Sequence, residues 1–183
     1  MKFIQTEIPD VILVKPTMIE DHRGFFMESY HIEKFKMGGI NSIFVQDNHA
    51  RSCQGVIRGL HFQEKNPQGK LVRCIQGEIL DVVVDIRSES PTFGQVLTIK
   101  LNQENKKLVW VPPGLAHGYS VLSETSEILY KVTDYYNPQD EAGIRWNDPE
   151  LEIDWQVTNP KLSKKDQDLP LFQKEIRFLS QST

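Results

Sequence analysis

Cysteine is scarce, with two residues in 183, and Cys53 and Cys74 stand singly inside apolar segments without Cys-x-x-Cys spacing. That argues against a disulfide framework and suits buried, reduced thiols in a cytoplasmic protein. No run of 18 apolar residues occurs, and Pro9, Asp10 and Pro16 interrupt the N-terminus. Neither a spanning helix nor a secretory h-region is expected. Dense Lys/Arg runs are also missing: 21 basic against 25 acidic residues leave a formal charge of -4. Such a balance offers no electrostatic footprint for nucleic acid or an anionic membrane. With no repeat, low-complexity tract or linker, residues 1–183 read as one domain, and a chain this long buries roughly 70% of its unfolded surface without staples. Small-molecule chemistry is the class left open.

What is present is period-two patterning. Leu80, Val82, Val84 and Ile86 alternate with Asp81, Val83, Asp85 and Arg87, which reads as a half-buried strand. Similar segments are Ile43 to Gln46, Val56 to Phe62, Leu71 to Gln76, Val96 to Leu101, Leu108 to Val111, Gly118 to Leu122 and Ile128 to Thr133. Short strands at such spacing predict an all-β sandwich or barrel. Helical signals are few: Ser29 as an N-cap before His31 to Met37, and Ser163 before Lys164 to Gln167. The stretch from Tyr135 onward is expected to wrap the sandwich, with Glu175 to Thr183 fraying.

Three segments could carry chemistry. Arg58-Gly59-Leu60-His61-Phe62-Gln63 places a cation and an imidazole three residues apart, and strict alternation sends them to opposite faces. A bulge at Gly59 would bring them to one side. Pro112-Pro113-Gly114-Leu115-Ala116-His117-Gly118-Tyr119 delivers His117 at the start of a strand and resembles half of a cupin signature. A metal-binding cupin would add His-x-His, yet Gln63 occupies the second position, and His22, His31 and His49 lie in other segments. The ligand set for zinc or iron is incomplete. Tyr130 shares a strand face with Ile128 and Val132, a pattern more often core than catalyst. An interior that received Tyr130, His61 and His117 together could move protons.

The ordered set resembles one family: the dTDP-4-dehydrorhamnose 3,5-epimerases. It runs from Asp21-His22-Arg23-Gly24-Phe25-Phe26 through Gln46-Asp47-Asn48, Arg58 to His61 and Gly69-Lys70-Leu71-Val72 to the Pro113 to His117 turn, Tyr130 and Ser163-Lys164-Lys165-Asp166. The resemblance implies a cupin-like jelly-roll β-sandwich with a few short helices, used as a homodimer without metal or cofactor. It further implies that His61 is the general base, Asp166 its carboxylate partner, Tyr130 the acid on the opposite sugar face and Lys70 the group near the C4 oxygen. Arg58 and His117 match residues that hold the sugar and pyrophosphate. Arg23, Glu28, Gln46, Asp47, Asn48, Glu141 and Lys165 match nucleotide contacts, with Lys164 a rival to Lys165 and Phe26 a candidate for stacking on thymine. Asp166 also completes Ser-x-x-Asp with Ser163, which reads equally as a helix cap.

Inverting a carbon beside a ketone removes a C–H proton from one face and returns one on the other, through an enolate. C3 and C5 both flank C4, so one carbonyl acidifies both. An imidazole with a carboxylate on its far nitrogen suits the base, and a cation suits the oxyanion. The alternatives are an enzyme acting at one carbon only and a metal-dependent or non-catalytic cupin.

Overall fold

The computed structural model describes residues 1–172, and the expected fraying of residues 175–183 lies outside them. The strands are β1 (Lys2–Gln5), β2 (Ile12–Lys15), β3 (Met18–Asp21), β4 (Gly24–Met27), β5 (Gln46–Cys53), β6 (Ile57–Gln63), β7 (Lys70–Gln76), β8 (Glu78–Asp85), β9 (Val96–Asn102), β10 (Leu108–Val111), β11 (Leu115–Val121), β12 (Thr125–Val132) and β13 (Glu141–Gly143). Two short helices, α1 (Ile32–Met37) and α2 (Lys164–Gln167), complete the elements. Among the described residues the strands form a six-stranded sheet, β1-β2-β10-β7-β12-β5, a five-stranded sheet, β13-β6-β11-β8-β9, and the separate β3–β4 hairpin. The ladders between these strands are antiparallel, giving the expected β-sandwich.

Three apolar layers hold it. Val72, Cys74, Ile79, Val83, Val109, Tyr119 and Ile128 fill the space between the sheets. On the outer side of the five-stranded sheet, Leu80, Val82, Val84 and Ile86 meet Ile144, Leu151, Trp155 and Phe172. The chain after Tyr135 therefore wraps the sandwich, pinned where Ser120 Oγ donates to the Trp155 carbonyl at 2.7 Å. The six-stranded sheet is covered by Phe35 of α1, Ile40 and the rings of Tyr30 and Phe44.

Several local expectations are corrected. Strand β8 is buried on both faces, because its outer side is roofed by residues 144–172 and its polar members are paired inside. Asp85 takes hydrogen bonds from Arg87, Ser90 and Thr92. The strand expected from Ile43 begins only at Gln46, since Phe44 turns out of the ladder to pack edge-on against Tyr30 and Trp110. Helix α1 starts at Ile32 with His31 as its cap residue and no side-chain cap, so Ser29 is not its cap. Cys53 is exposed while Cys74 is buried, and both are free. The period of edge strand β5 turns residues 47, 49, 51 and 53 outward. Strands β1 to β4 and the brief β13 are additional to the segments that alternation predicts.

Candidate active site

The site forms where β6 and β11 meet. Along their ladder His117 faces His61 and Tyr119 faces Arg58, so two residues of β6 oppose one of β11. The extra residue is a bulge, and it returns Arg58 and His61 to the same side. Gly59 makes this possible: its φ is +121°, and a Cβ there would stand 2.6 Å from the Gly118 Cα. A Gly59→Ala substitution is therefore expected to cost about 3 kcal/mol. Thermal unfolding of that variant checks it, and an unchanged midpoint would remove the bulge argument.

Between the sheets lies a cup of about 490 Å³. Its wall carries Arg58 and His61 from β6, Lys70 from β7, His117 and Tyr119 from β11, Tyr130 from β12, Glu141 from β13, and Lys165 and Asp166 from α2. Here the helix-cap and carboxylate readings of Asp166 prove compatible. Its backbone N–H donates to Ser163 Oγ at 3.1 Å, while its carboxylate oxygen Oδ1 is 2.7 Å from His61 Nε2. Burial pushes the Asp166 carboxyl up, but the His61 hydrogen bond and charge outweigh it and hold the group below the ordinary carboxylate value. An ionised Asp166 accepts a hydrogen bond from Nε2–H, which leaves Nδ1 of His61 as the unshared, basic nitrogen. The imidazole is partly exposed, at 28%, against 6% for Asp166.

Opposite charges and phenols surround this pair. Lys70 Nζ donates to the His61 carbonyl at 3.3 Å. Burial brings its ammonium down to about 8, opposed by the pull of Asp81 and Glu141. Burial, then the neighbouring Tyr119, raises the Tyr130 phenol above its usual value, so it stays protonated and can donate. His117 gives Nε2 to both oxygens of Asp81, at 3.0 and 2.9 Å, inside the core. Arg58, Lys70, Lys161 and Lys165 line the cup against Glu141 and Asp166, and Glu141 is already paired with Lys165 and Tyr136. A dianion entering this space meets an excess of positive charge on a chain that is acidic overall.

The remaining sequence candidates separate into groups. Lys165 lines the cup and Lys164 does not. Gln46 and Asn48 are bonded to each other at 2.8 Å, and Asn48 is the cross-strand partner of Tyr130. Asp47 alternates to the outer face, where it pairs with Lys131 at 2.9 Å. Arg23, Phe26 and Glu28 are not brought to the cup of their own chain: Arg23 pairs with Asp21, Glu28 with Lys34, and Phe26 is 69% exposed. Gln63, at the second position of the cupin-like run, is buried and staples the loop, donating to the Asn66 carbonyl at 2.6 Å and accepting from Asn137 N at 2.8 Å. Among the described residues no three His, Cys, Asp or Glu side chains converge as a metal site.

Sequence reasoning missed Asp81, Tyr119, Ser52 and Tyr136. Asp81 carried a signal, a carboxylate within an otherwise apolar run, but alternation read it as outward. Tyr119 is next to Gly118 in the His117 turn, and the same strand period that places His117 in the cup could have placed its ring there. Tyr136, exposed and bonded to Glu141, offers a flat ring at the rim.

A family model described as dTDP-4-dehydrorhamnose 3,5-epimerase matches residues 5–174. An enzyme of that description from Pseudomonas aeruginosa is 54% identical over 168 residues, covering 91% of this chain and 93% of the relative. The crystal structure of the Elizabethkingia anophelis dTDP-4-dehydrorhamnose 3,5-epimerase superposes with a TM-score of 0.91 at 44% identity, over 96% of this chain and 98% of that one. A Legionella pneumophila 3,5-epimerase, solved in complex with dTDP-4-keto-L-rhamnose, gives 0.90 at 46% identity, over 93% and 92%. The match runs over residues 5–174 and includes the strands and helix that carry the paired imidazole: the chain belongs to the dTDP-4-dehydrorhamnose 3,5-epimerase family.

Proposed function

We propose that the cup epimerises dTDP-4-keto-6-deoxyglucose at C3 and C5, giving dTDP-4-keto-L-rhamnose, with His61 as the base. The observation that carries this reading is the 2.7 Å His61–Asp166 contact inside a cup shared with Lys70 and Tyr130. Nδ1 of His61 removes the proton from a carbon flanking the ketone. Electrons move to the C4 oxygen, where the Lys70 ammonium takes up the charge, and Asp166 steadies the imidazolium. Tyr130 then delivers a proton to the other face of the same carbon, inverting it. Exchange with water then takes the proton from His61 and returns one to Tyr130, repetition at the second flanking carbon completes the reaction, and the substrate's own ketone supplies the electronic activation.

Arg58 suits the diphosphate because its planar fork remains charged and meets two oxygens together. His117, held by Asp81, presents its other ring edge to the sugar or pyrophosphate. Lys165 and Glu141, which line the cup, are assigned to the nucleotide together with Gln46 and Asn48, and Asp47, on the outer face with Lys131, joins them only where a nucleotide extends past the β5 edge. Arg23, Phe26 and Glu28 reach a nucleotide only if a second copy supplies them. The β3–β4 hairpin favours that arrangement, since Ile19, Phe25 and Phe26 are 66%, 54% and 69% exposed. Burying those side chains against a partner is worth roughly 1.5–3 kcal/mol each. The expected form is thus a cytoplasmic homodimer, checked by sedimentation at twice the chain mass; a purely monomeric enzyme at full activity would contradict it. No helix among the described residues is long and apolar enough to cross a membrane.

Incubation with dTDP-4-keto-6-deoxyglucose in D₂O, followed by NMR, tests the function. Deuterium should enter at both C3 and C5. Uptake at one carbon would mark a single-carbon epimerase, and none would defeat the reading.

A further inference from the structure

The diphosphate role proposed for Arg58 leaves open what aims its guanidinium. Arg87 and Arg23 are each clamped by a carboxylate, whereas Arg58 makes no ion pair among the described residues. Among the described residues its one side-chain tie is Nε, which donates to Ser52 Oγ at 3.2 Å. Ser52 is buried on β5, at 8% exposure. Behind it stands Tyr119, buried in the cup wall, with Oη 3.5 Å from the same Oγ. Ser126, the cross-strand partner of Ser52, has a buried hydroxyl with no hydrogen-bond partner, so it does not compete for Ser52.

A guanidinium can grip a two-oxygen anion side-on, through Nε and one Nη, or end-on, through both Nη groups. Spending Nε on Ser52 removes the side-on mode. It leaves the two Nη groups, which carry no other bond among the described residues, as one fork. The geometry points to Ser52, backed by Tyr119, as the positioning residue that holds Arg58 in the end-on orientation toward the substrate diphosphate. This inference rests on the reading of Arg58 as the diphosphate ligand. Ser52 itself touches the ligand's arginine and not the reacting carbons, so its removal is felt in binding and leaves the proton transfers in place.

Steady-state kinetics with the dTDP-sugar provide the test. Ser52→Ala should raise KM about tenfold while kcat moves by less than about twofold. Ser52→Thr, which keeps the hydroxyl, should restore KM, and Ser52→Cys repeats the Ala readout should that variant fold poorly. Lysine has no Nε–H to tie, so in an Arg58→Lys background Ser52→Ala should add nothing. A wild-type KM in Ser52→Ala, or an undiminished effect in the Arg58→Lys background, would overturn the inference. Arg58→Ala separates the two levels: an unchanged KM there would sink the diphosphate reading itself, whereas a large rise beside a silent Ser52→Ala would sink only the positioning role.

Discussion

His61→Ala should lose activity by about 10⁴-fold in kcat, the upper end of what a positioned base contributes. It should still bind dTDP with near-normal affinity. The loss is large because no other group in the cup can replace the ring. Lys70 is a cation in its working state, Tyr130 is held protonated by burial, and His117, buried at 7% exposure, is assigned to the sugar or pyrophosphate and not to the carbons flanking the ketone. Binding is expected to survive because Arg58, proposed for the diphosphate, and Lys165, proposed for the nucleotide, are tied to Ser52 and Glu141 and not to the His61 ring. Isothermal titration with dTDP, run beside turnover, makes the distinction. Equal loss of both would indicate a collapsed cup and not a missing base.

Lys70→Met is expected to lower kcat roughly 10²–10³-fold, the scale of removing one donor from a developing oxyanion. Methionine keeps the length of the side chain but neither its charge nor its donors. The same lysine makes a pH prediction. Burial holds its ammonium down to about 8, so it is charged below that value and neutral above it. A step that needs the charged form must slow as pH rises through about 8, giving wild-type kcat an alkaline limb there. Lys70→Arg should move that limb upward, since a guanidinium stays protonated. A wild-type profile flat to pH 9.5, on the order of the unperturbed lysine range, would contradict the assignment.

The β architecture was legible because alternation is a direct print of a sheet's two faces. It misled at β8 for the same reason. Asp81 and Asp85 look like a wet face, but the wrapping segment that roofs the strand and the partners that satisfy both carboxylates are distant in sequence. The Gly59 bulge was readable from a glycine between two polar residues that chemistry wanted on one side. The Ser163 cap was readable too, since Ser-x-x-Asp is a local pattern with a local cause. What local pattern could not supply was distance. His61 and Asp166 are 105 positions apart, and their pairing came only through family resemblance. Tyr119 and Ser52 escaped because a single phenol and a single hydroxyl look like ordinary strand residues until the bulge turns Arg58 toward them. Arg23, Phe26 and Glu28 were gathered with the cup by resemblance, although their own chain holds them apart from it.

Deuterium uptake at C3 and C5, compared between His61→Ala and Tyr130→Phe in D₂O, tests the central claim most directly. A base and an acid on opposite faces predict opposite failures. Without the imidazole, neither carbon should exchange. Without the phenol, His61 should still remove the protons and return deuterium to the same face, so label enters while the starting configuration persists. Label appearing at either carbon in His61→Ala at the wild-type rate would contradict the account, whatever Tyr130→Phe does.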